Sequence, residues 1–153
     1  MAASQTHLYI HIVWATFDRL PLVTPALEEH LYAAITRECE NLKCQMIAIG
    51  GIADHVHALV RLHSQVAVAA IVQQMKGSSS RWIHERDNNM MAFAWQDGYG
   101  AFSVGLSQID DTIRYIEGQR EHHRTKSFQE EYVHYVHFLK KYDVEFDERY
   151  VWG

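Results

Sequence analysis

The sequence is poor in cysteine and proline, and it has no long apolar run. Two cysteines and two prolines occur in 153 residues, so a disulfide framework is excluded. The absence of a CxxC or Cys/His ladder also argues against a zinc finger. No stretch approaches the roughly 18 apolar residues of a membrane span, and the N-terminus lacks the features of a signal peptide. We therefore expect a cytoplasmic protein without a membrane partner.

Positive charge is also scarce. The 14 Lys and Arg residues are outnumbered by 19 Asp and Glu, which gives a net charge of −5. A protein that coats nucleic acid non-specifically is normally basic, so this class is disfavoured. Most of the basic residues lie between positions 61 and 126. An anionic partner is therefore expected at local contacts in this part of the chain, not in the field of the whole surface.

The composition is that of a globular protein, with 48% hydrophobic and 22% charged residues. A length of 153 residues suits one domain with a sizeable core and is too short for two ordinary ones. We expect a single domain over residues 1–153, with a core over about residues 7–124 and a C-terminal helix and tail over residues 125–153.

Hydrophobic periodicity predicts four strands and four helices. The predicted strands cover residues 7–17, 44–49, 55–62 and 101–107. The predicted helices cover residues 25–43, 66–87, 110–123 and 128–142. Gly77 and the three serines after it are poor helix formers inside the second helix. Gly50 and Gly51 are expected to close the second strand.

The order of these elements, β-α-β-β-α-β, is that of the ferredoxin-like (RRM-like) α+β fold. This fold has one antiparallel four-stranded sheet with two helices on one face. The opposite face stays open for a third helix or a ligand. The predicted helix over residues 110–123 is an added C-terminal element that bears Tyr115.

A His-x-His pattern begins the third predicted strand, at His55 and His57. Side chains alternate between the faces of a strand, so both imidazoles project from one side. Two such imidazoles can bind one divalent cation, and Asp54 could orient one of them. The pattern alone is a weak signal, because half-buried strand histidines are often structural.

Tyr115 and Gln119 lie four residues apart in the third predicted helix, so they share a helix face. Tyr115 has two readings at this point. It is either an aromatic side chain at the rim of the core or a reactive group that faces the histidine pair.

Five motifs in order extend the pattern over nearly the whole chain. They are DHVH at residues 54–57, KGSSSRW at 76–82, WQDGYGAFSV at 95–104, YIEGQ at 115–119 and DERYVW at 147–152. This series resembles the HUH single-tyrosine transposases of the IS200-like family, including relatives associated with repetitive extragenic palindromes. The resemblance runs from about residue 7 to residue 152.

The resemblance implies a set of roles. His55, His57 and Gln119 would bind a divalent metal, Mg²⁺ or Mn²⁺, and Tyr115 would be the nucleophile that attacks single-stranded DNA. The implied substrate carries a hairpin, and the implied assembly is a homodimer in which a tyrosine helix can complete the partner's site. Five of the central basic residues are candidate DNA contacts: Arg61, Lys76, Arg81, Arg120 and Arg124.

Three other functions stay open from the sequence. A domesticated relative would cleave and join chromosomal palindromes without mobilising itself. A non-catalytic nucleic-acid-binding module could use the same sheet, although residues 55–62 do not match the aromatic-rich strand motifs of an RRM. A structural metal-binding protein would need only the histidine pair.

Overall fold

The computed structural model describes residues 4–86, 90 and 92–119. In that part of the chain there are four strands and three α-helices. The strands are β1 (Tyr9–Ala15), β2 (Gln45–Ile52), β3 (His55–Arg61) and β4 (Gly100–Val104), and the helices are α1 (Pro25–Asn41), α2 (Val68–Arg86) and α3 (Ile109–Glu117). None of these helices is long and apolar enough to cross a membrane. The helix predicted over residues 128–142 lies outside the described residues.

The four strands form one antiparallel sheet in the order β2-β3-β1-β4. This order confirms the predicted ferredoxin-like architecture. The two central strands are β3 and β1, and their register places Val13 opposite His57 and Ala15 opposite His55. The histidine motif therefore lies at the start of a central strand, between β1 and β2.

Helices α1 and α2 cover one face of the sheet. Ile12 and Trp14 of β1, together with Val56 of β3, pack against buried residues of both helices such as Ile35 and Met75. Each large apolar side chain buried in this way contributes about 1.5–3 kcal/mol to folding. Most of the hydrophobic core lies on this side.

Helix α1 begins as its sequence predicts. The Thr24 hydroxyl accepts a hydrogen bond from the Leu27 amide, and Pro25 occupies the first helical position. This pair provides a capping acceptor and a backbone angle already suited to a helix.

Helix α2 runs without interruption through Gly77 and the serines that follow it. Tertiary contacts override the low propensity of this segment. Ser79 is fully buried, and its hydroxyl accepts a hydrogen bond at 3.0 Å from the Trp95 indole.

Several predicted boundaries are wrong. Strand β1 ends at Ala15 and β4 at Val104, earlier than the predicted residues 17 and 107, and Leu106–Gln108 form a 3-10 helix. Gly50 and Gly51 belong to β2 and do not close it. The third helix ends at Glu117, where the Gly118 amide donates to the Arg114 carbonyl, and the predicted stretch from residue 120 to about residue 123 lies outside the described residues. The glycine after YIE interrupts the helix just before Gln119.

Candidate functional site

The imidazoles of His55 and His57 project together from the sheet face opposite α1 and α2. Their ring centroids are 5.0 Å apart. The two residues are 0% and 5% exposed, respectively. Because strand side chains alternate between the two faces, both rings lie on the same face, where one ligand could bind both.

Each of these rings is held at its Nδ1 atom. His55 Nδ1 lies 2.7 Å from a carboxylate oxygen of Asp54. His57 Nδ1 lies 2.9 Å from Nε2 of His11, a residue of β1. A carboxylate can only accept, so the His55 Nδ1–H donates to Asp54, as the sequence suggested. Nε2 is then the atom through which His55 can bind a ligand.

Helix α3 and the turn at Gly118 that follows it bring Tyr115 and Gln119 to the same face. The approach of the C-terminal end of α3 to the sheet requires Gly50, because a Cβ at that position would lie 2.3 Å from the Ile116 carbonyl oxygen. The Tyr115 ring meets the His57 ring edge-on, with centroids 5.5 Å apart. The four residues singled out from the sequence thus meet in one place.

Gln119 is 1% exposed and contacts His55 directly. Its amide nitrogen donates to the Tyr115 carbonyl at 3.2 Å. That bond turns the amide oxygen toward His55 Nε2, at 3.1 Å. A neutral His55 that donates from Nδ1 would present a lone pair at Nε2, so two electron-pair donors would face each other. Such a pairing is favourable when the ring is protonated or when both atoms share a cation.

The 3.1 Å between His55 Nε2 and the Gln119 amide oxygen is compatible with two ligands of one divalent metal ion. Two ligands that each lie about 2.1 Å from an ion, at a right angle, are about 3.0 Å apart. In the described ranges no group of three or more His, Cys, Asp or Glu side chains is placed to hold a metal. Beside His55, the amide oxygen of Gln119 is a further electron-pair donor. Imidazole and amide donors together suit Mn²⁺, and Mg²⁺ less closely.

The candidate DNA contacts differ in their environments. Arg61 donates to the Thr6 carbonyl at 2.9 Å. Arg81 is exposed on α2. Arg120 and Arg124 lie outside the described residues.

Lys76 is engaged within the protein. Its ammonium group donates to the carbonyls of Gln96 and Gly98, at 2.7 and 2.9 Å. Burial lowers the pKa of Lys76, and the nearby Asp97 carboxylate opposes that shift. KGSSSRW and WQDGYGAFSV therefore contact each other: Lys76 and Ser79 hold the loop that precedes β4.

A cleft of about 480 Å³ adjoins Gln119. Its walls come from the N-terminal half of α1, the glycines of β2 and the end of α3. Three of its lining residues are glutamates: Glu28, Glu29 and Glu117. Carboxylates repel phosphate groups, so this side of the site is unsuited to a DNA backbone.

His11 is the site residue that sequence reasoning missed. It is 4% exposed, and its ring lies 5.1 Å from that of His57 and 6.0 Å from that of Tyr115. Position 11 falls within a predicted strand, but only the pairing of β1 with β3 places it beside His57. The alternation of side chains along β1 shows which residues share a face with His11, but only the register of β1 against β3 shows that His57 is its neighbour.

Comparison with known proteins gives one family and two instructive structures. The family model described as transposase IS200-like matches residues 4–119. A crystal structure of a transposase candidate from Deinococcus radiodurans R1 aligns with a TM-score of 0.59 at 21% identity, over 78% of this chain and 98% of that one. The structure of a REP-associated tyrosine transposase bound to a REP hairpin aligns with a TM-score of 0.54 at 14% identity, over 76% of this chain and 70% of that one. No curated protein matches.

Proposed function

The chain belongs to the IS200-like transposase family, and on this premise we propose that it is an HUH-type, metal-dependent transposase. It cleaves and rejoins single-stranded DNA at hairpin-marked ends through a 5′-phosphotyrosine intermediate. One observation carries the proposal: His55, His57, Tyr115 and Gln119 meet on a single sheet face. Three of them are almost completely buried.

The proposed reaction begins at the Tyr115 hydroxyl. A phenol has a pKa near 10 and is a poor nucleophile at neutral pH, so it needs an activated phosphate. A Mg²⁺ or Mn²⁺ ion bound by His55, His57 and Gln119 would polarise that phosphate and offset charge in the transition state. The tyrosine oxygen forms a bond to phosphorus while the bond to the 3′ oxygen breaks. The phenol loses its proton to water, and the 3′ oxygen gains one.

The covalent intermediate retains a phosphodiester, and strand transfer follows from this. A 3′-hydroxyl of a second DNA end can attack the phosphotyrosine, which forms a new bond to phosphorus and breaks the bond between phosphorus and the tyrosine oxygen. The hydroxyl gives up its proton, and the tyrosine oxygen gains one. The two strands are then joined without ATP, because no bond energy has been lost to hydrolysis. Burial of the site limits access of competing water.

The proposed substrate is single-stranded DNA that carries a hairpin. Support comes from the similar protein whose structure is described as bound to a REP hairpin. The stem would be recognised largely through its backbone and shape, and unpaired bases would stack on aromatic side chains. A domesticated role at chromosomal palindromes remains the alternative, and the DNA on both sides of the gene would separate the two.

The decisive test is to map the covalent adduct. The protein is incubated with labelled single-stranded hairpin DNA and Mn²⁺, then denatured and digested, and the DNA-linked peptide is identified by mass spectrometry. We expect the adduct on Tyr115 and its loss in Tyr115→Phe. Tyr9→Phe is the matched control, because Tyr9 packs on the same face of the sheet. Hairpin binding without any adduct would instead indicate a non-catalytic binding module.

We further propose that the protein acts as a homodimer. Tyr115 contacts His57 of its own chain in this structure. The test therefore compares a site built within one chain with a site completed by an exchange of α3 between two chains. An equal mixture of His57→Ala and Tyr115→Phe proteins should regain cleavage if α3 is exchanged. No recovery, despite demonstrated exchange of subunits, would mean that each chain uses its own tyrosine.

A further inference from the structure

We infer that His11 is a positioning residue that fixes the His57 imidazole with its proton on Nδ1, so that Nε2 is available to a metal ion. The inference rests on the proposed function, since it concerns the same site. It adds a residue that neither the histidine motif nor the tyrosine motif contains.

The geometry comes from the pairing of the two central strands. His57 lies opposite Val13, and His11 lies two residues before Val13 on β1. Positions two apart share a strand face, so His11 and His57 are diagonal neighbours on the face that α3 covers. Their nitrogens, Nε2 of His11 and Nδ1 of His57, are 2.9 Å apart, and both residues are nearly inaccessible to solvent.

A hydrogen bond between two imidazole nitrogens requires one protonated and one bare atom. If His57 donates from Nδ1, its neutral ring has a bare Nε2, which is the form that binds a metal. If His11 donates instead, a neutral His57 carries its proton on Nε2, and that atom cannot be a ligand. The direction of this single hydrogen bond therefore decides whether His57 is ready to bind.

The neighbouring histidine indicates which direction holds. His55, on the same face of the same strand, donates from Nδ1 to Asp54 and turns Nε2 to Gln119. With His57 as a donor to His11, both rings use Nδ1 for orientation and leave Nε2 for one shared ion. Partners that orient metal-binding histidines in this way contribute about 10- to 100-fold to metal affinity.

The test compares His11→Gln with His11→Leu. Glutamine places an acceptor oxygen close to the position of Nε2, whereas leucine has a similar volume and no acceptor. His30→Leu removes an exposed histidine from α1 and is the control. Two readouts are independent of cleavage: long-range ¹H–¹⁵N correlation spectra of the metal-free protein, which report the tautomer of His57, and Mn²⁺ titration followed by electron paramagnetic resonance.

We expect His57 of the unaltered protein to carry its proton on Nδ1. Mn²⁺ affinity should fall at least about tenfold in His11→Leu and stay within about threefold in His11→Gln. A proton on Nε2 of His57, or equal Mn²⁺ affinity in His11→Leu and the unaltered protein, would overturn the inference. Equal losses in the leucine and glutamine variants would also do so, because an acceptor at position 11 would then have no effect.

Two further arms keep the outcome clear. If circular dichroism shows that His11→Leu is unfolded, His11→Asn replaces it, since its shorter side chain withdraws the acceptor and should lose affinity where glutamine retains it. Failure to form a covalent adduct, with the expected His57 tautomer and Mn²⁺ affinities, would refute the proposed function and leave the inference intact. Absence of Mn²⁺ binding by the unaltered protein would overturn the inference together with the proposed ligands.

Discussion

The two faces of the central strands have opposite compositions, although they are built from alternate residues of the same segments. Toward α1 and α2, β1 and β3 present Ile12, Trp14 and Val56 to a large apolar core. Toward α3, the same strands present three histidines, beside a small apolar cluster formed by Ala48, Leu59 and Ile116. One residue along the chain separates a packing role from a chemical one.

The difference shows how a small domain can contain a buried polar site and remain stable. Imidazoles removed from water destabilise a protein unless hydrogen bonds replace those to water. His55 and His57 have such partners in Asp54 and His11. The apolar core behind the sheet stabilises the strands independently, so the site can be built from side chains that contribute little to hydrophobic stability.

The strongest challenge to this comparison uses two adjacent residues of β3. His57→Ala should reduce metal-dependent cleavage by about a thousandfold or more, because a proposed ligand is lost. Val56→Ala should leave the cleavage rate per folded molecule nearly unchanged but lower the free energy of unfolding by about 1–3 kcal/mol. Cleavage assays and urea denaturation measure the two quantities. A severe loss of activity in Val56→Ala would show that the faces are not independent.

Gly50 tests how closely α3 must approach the sheet. A methyl group there would collide with the Ile116 carbonyl and displace the segment that carries Tyr115 and Gln119. We expect Gly50→Ala to lower stability by about 1–3 kcal/mol and cleavage by about a hundredfold, since small displacements of reacting groups are costly. Cleavage kinetics and thermal denaturation provide both values.

Gly77 supplies the matched control for this substitution. Nothing lies within 4 Å of a Cβ at Gly77, which is in the middle of α2. Gly77→Ala should therefore stabilise the protein by about 0.5–1 kcal/mol and leave cleavage unchanged. Equal losses of cleavage in both alanine variants would remove the argument for a close approach of α3.

The basic residues of α2 test whether the helix layer takes part in DNA binding. Lys76→Met removes two hydrogen bonds from a charged group and should lower stability by about 2 kcal/mol. It should not change the salt dependence of hairpin binding. Arg81→Ala should leave stability unchanged and reduce the slope of log affinity against log salt concentration by about one. Fluorescence anisotropy at several salt concentrations measures the slopes, and a reversed pattern would make Lys76 the phosphate contact.

The smallest effect expected at neutral pH concerns the thiol of Cys39, which lies in the apolar core between the sheet and helices α1 and α2. Burial, together with the nearby Cys44 and Glu40, raises the pKa of Cys39 from 9.0 to about 12. Only the unfolded state loses this proton between those values, so stability is retained below pH 9.0 and falls as the pH rises toward 12. In a Cys44→Ala background, where burial still raises the pKa of Cys39, alkylation of folded Cys39 at pH 8 should be at least about a hundredfold slower than that of the unfolded chain. Rapid labelling of the folded protein would show that this side of the core opens.

Part of the fold followed from local sequence signals. The Thr24–Pro25 cap fixed the start of α1, and alternating apolar residues identified all four strands. The boundaries at Gly50 and Gly118 did not follow, because a glycine in a sequence pattern can either end an element or continue it. Gly50 continues β2, whereas α3 ends just before Gly118. Only the position of Ile116 over β2 explains why Gly50 continues a strand.

The candidate site divides in the same way. The sequence by itself determined that His55 and His57 share a face, since the two-residue period of a strand is a local property of the backbone. It also determined the spacing of Tyr115 and Gln119. The tertiary structure decided that these two pairs meet, that Lys76 is held by a loop, and that His11 lies against His57. Those relations depend on strand register and on the approach of α3 to the sheet, which arise only when segments distant in sequence pack together.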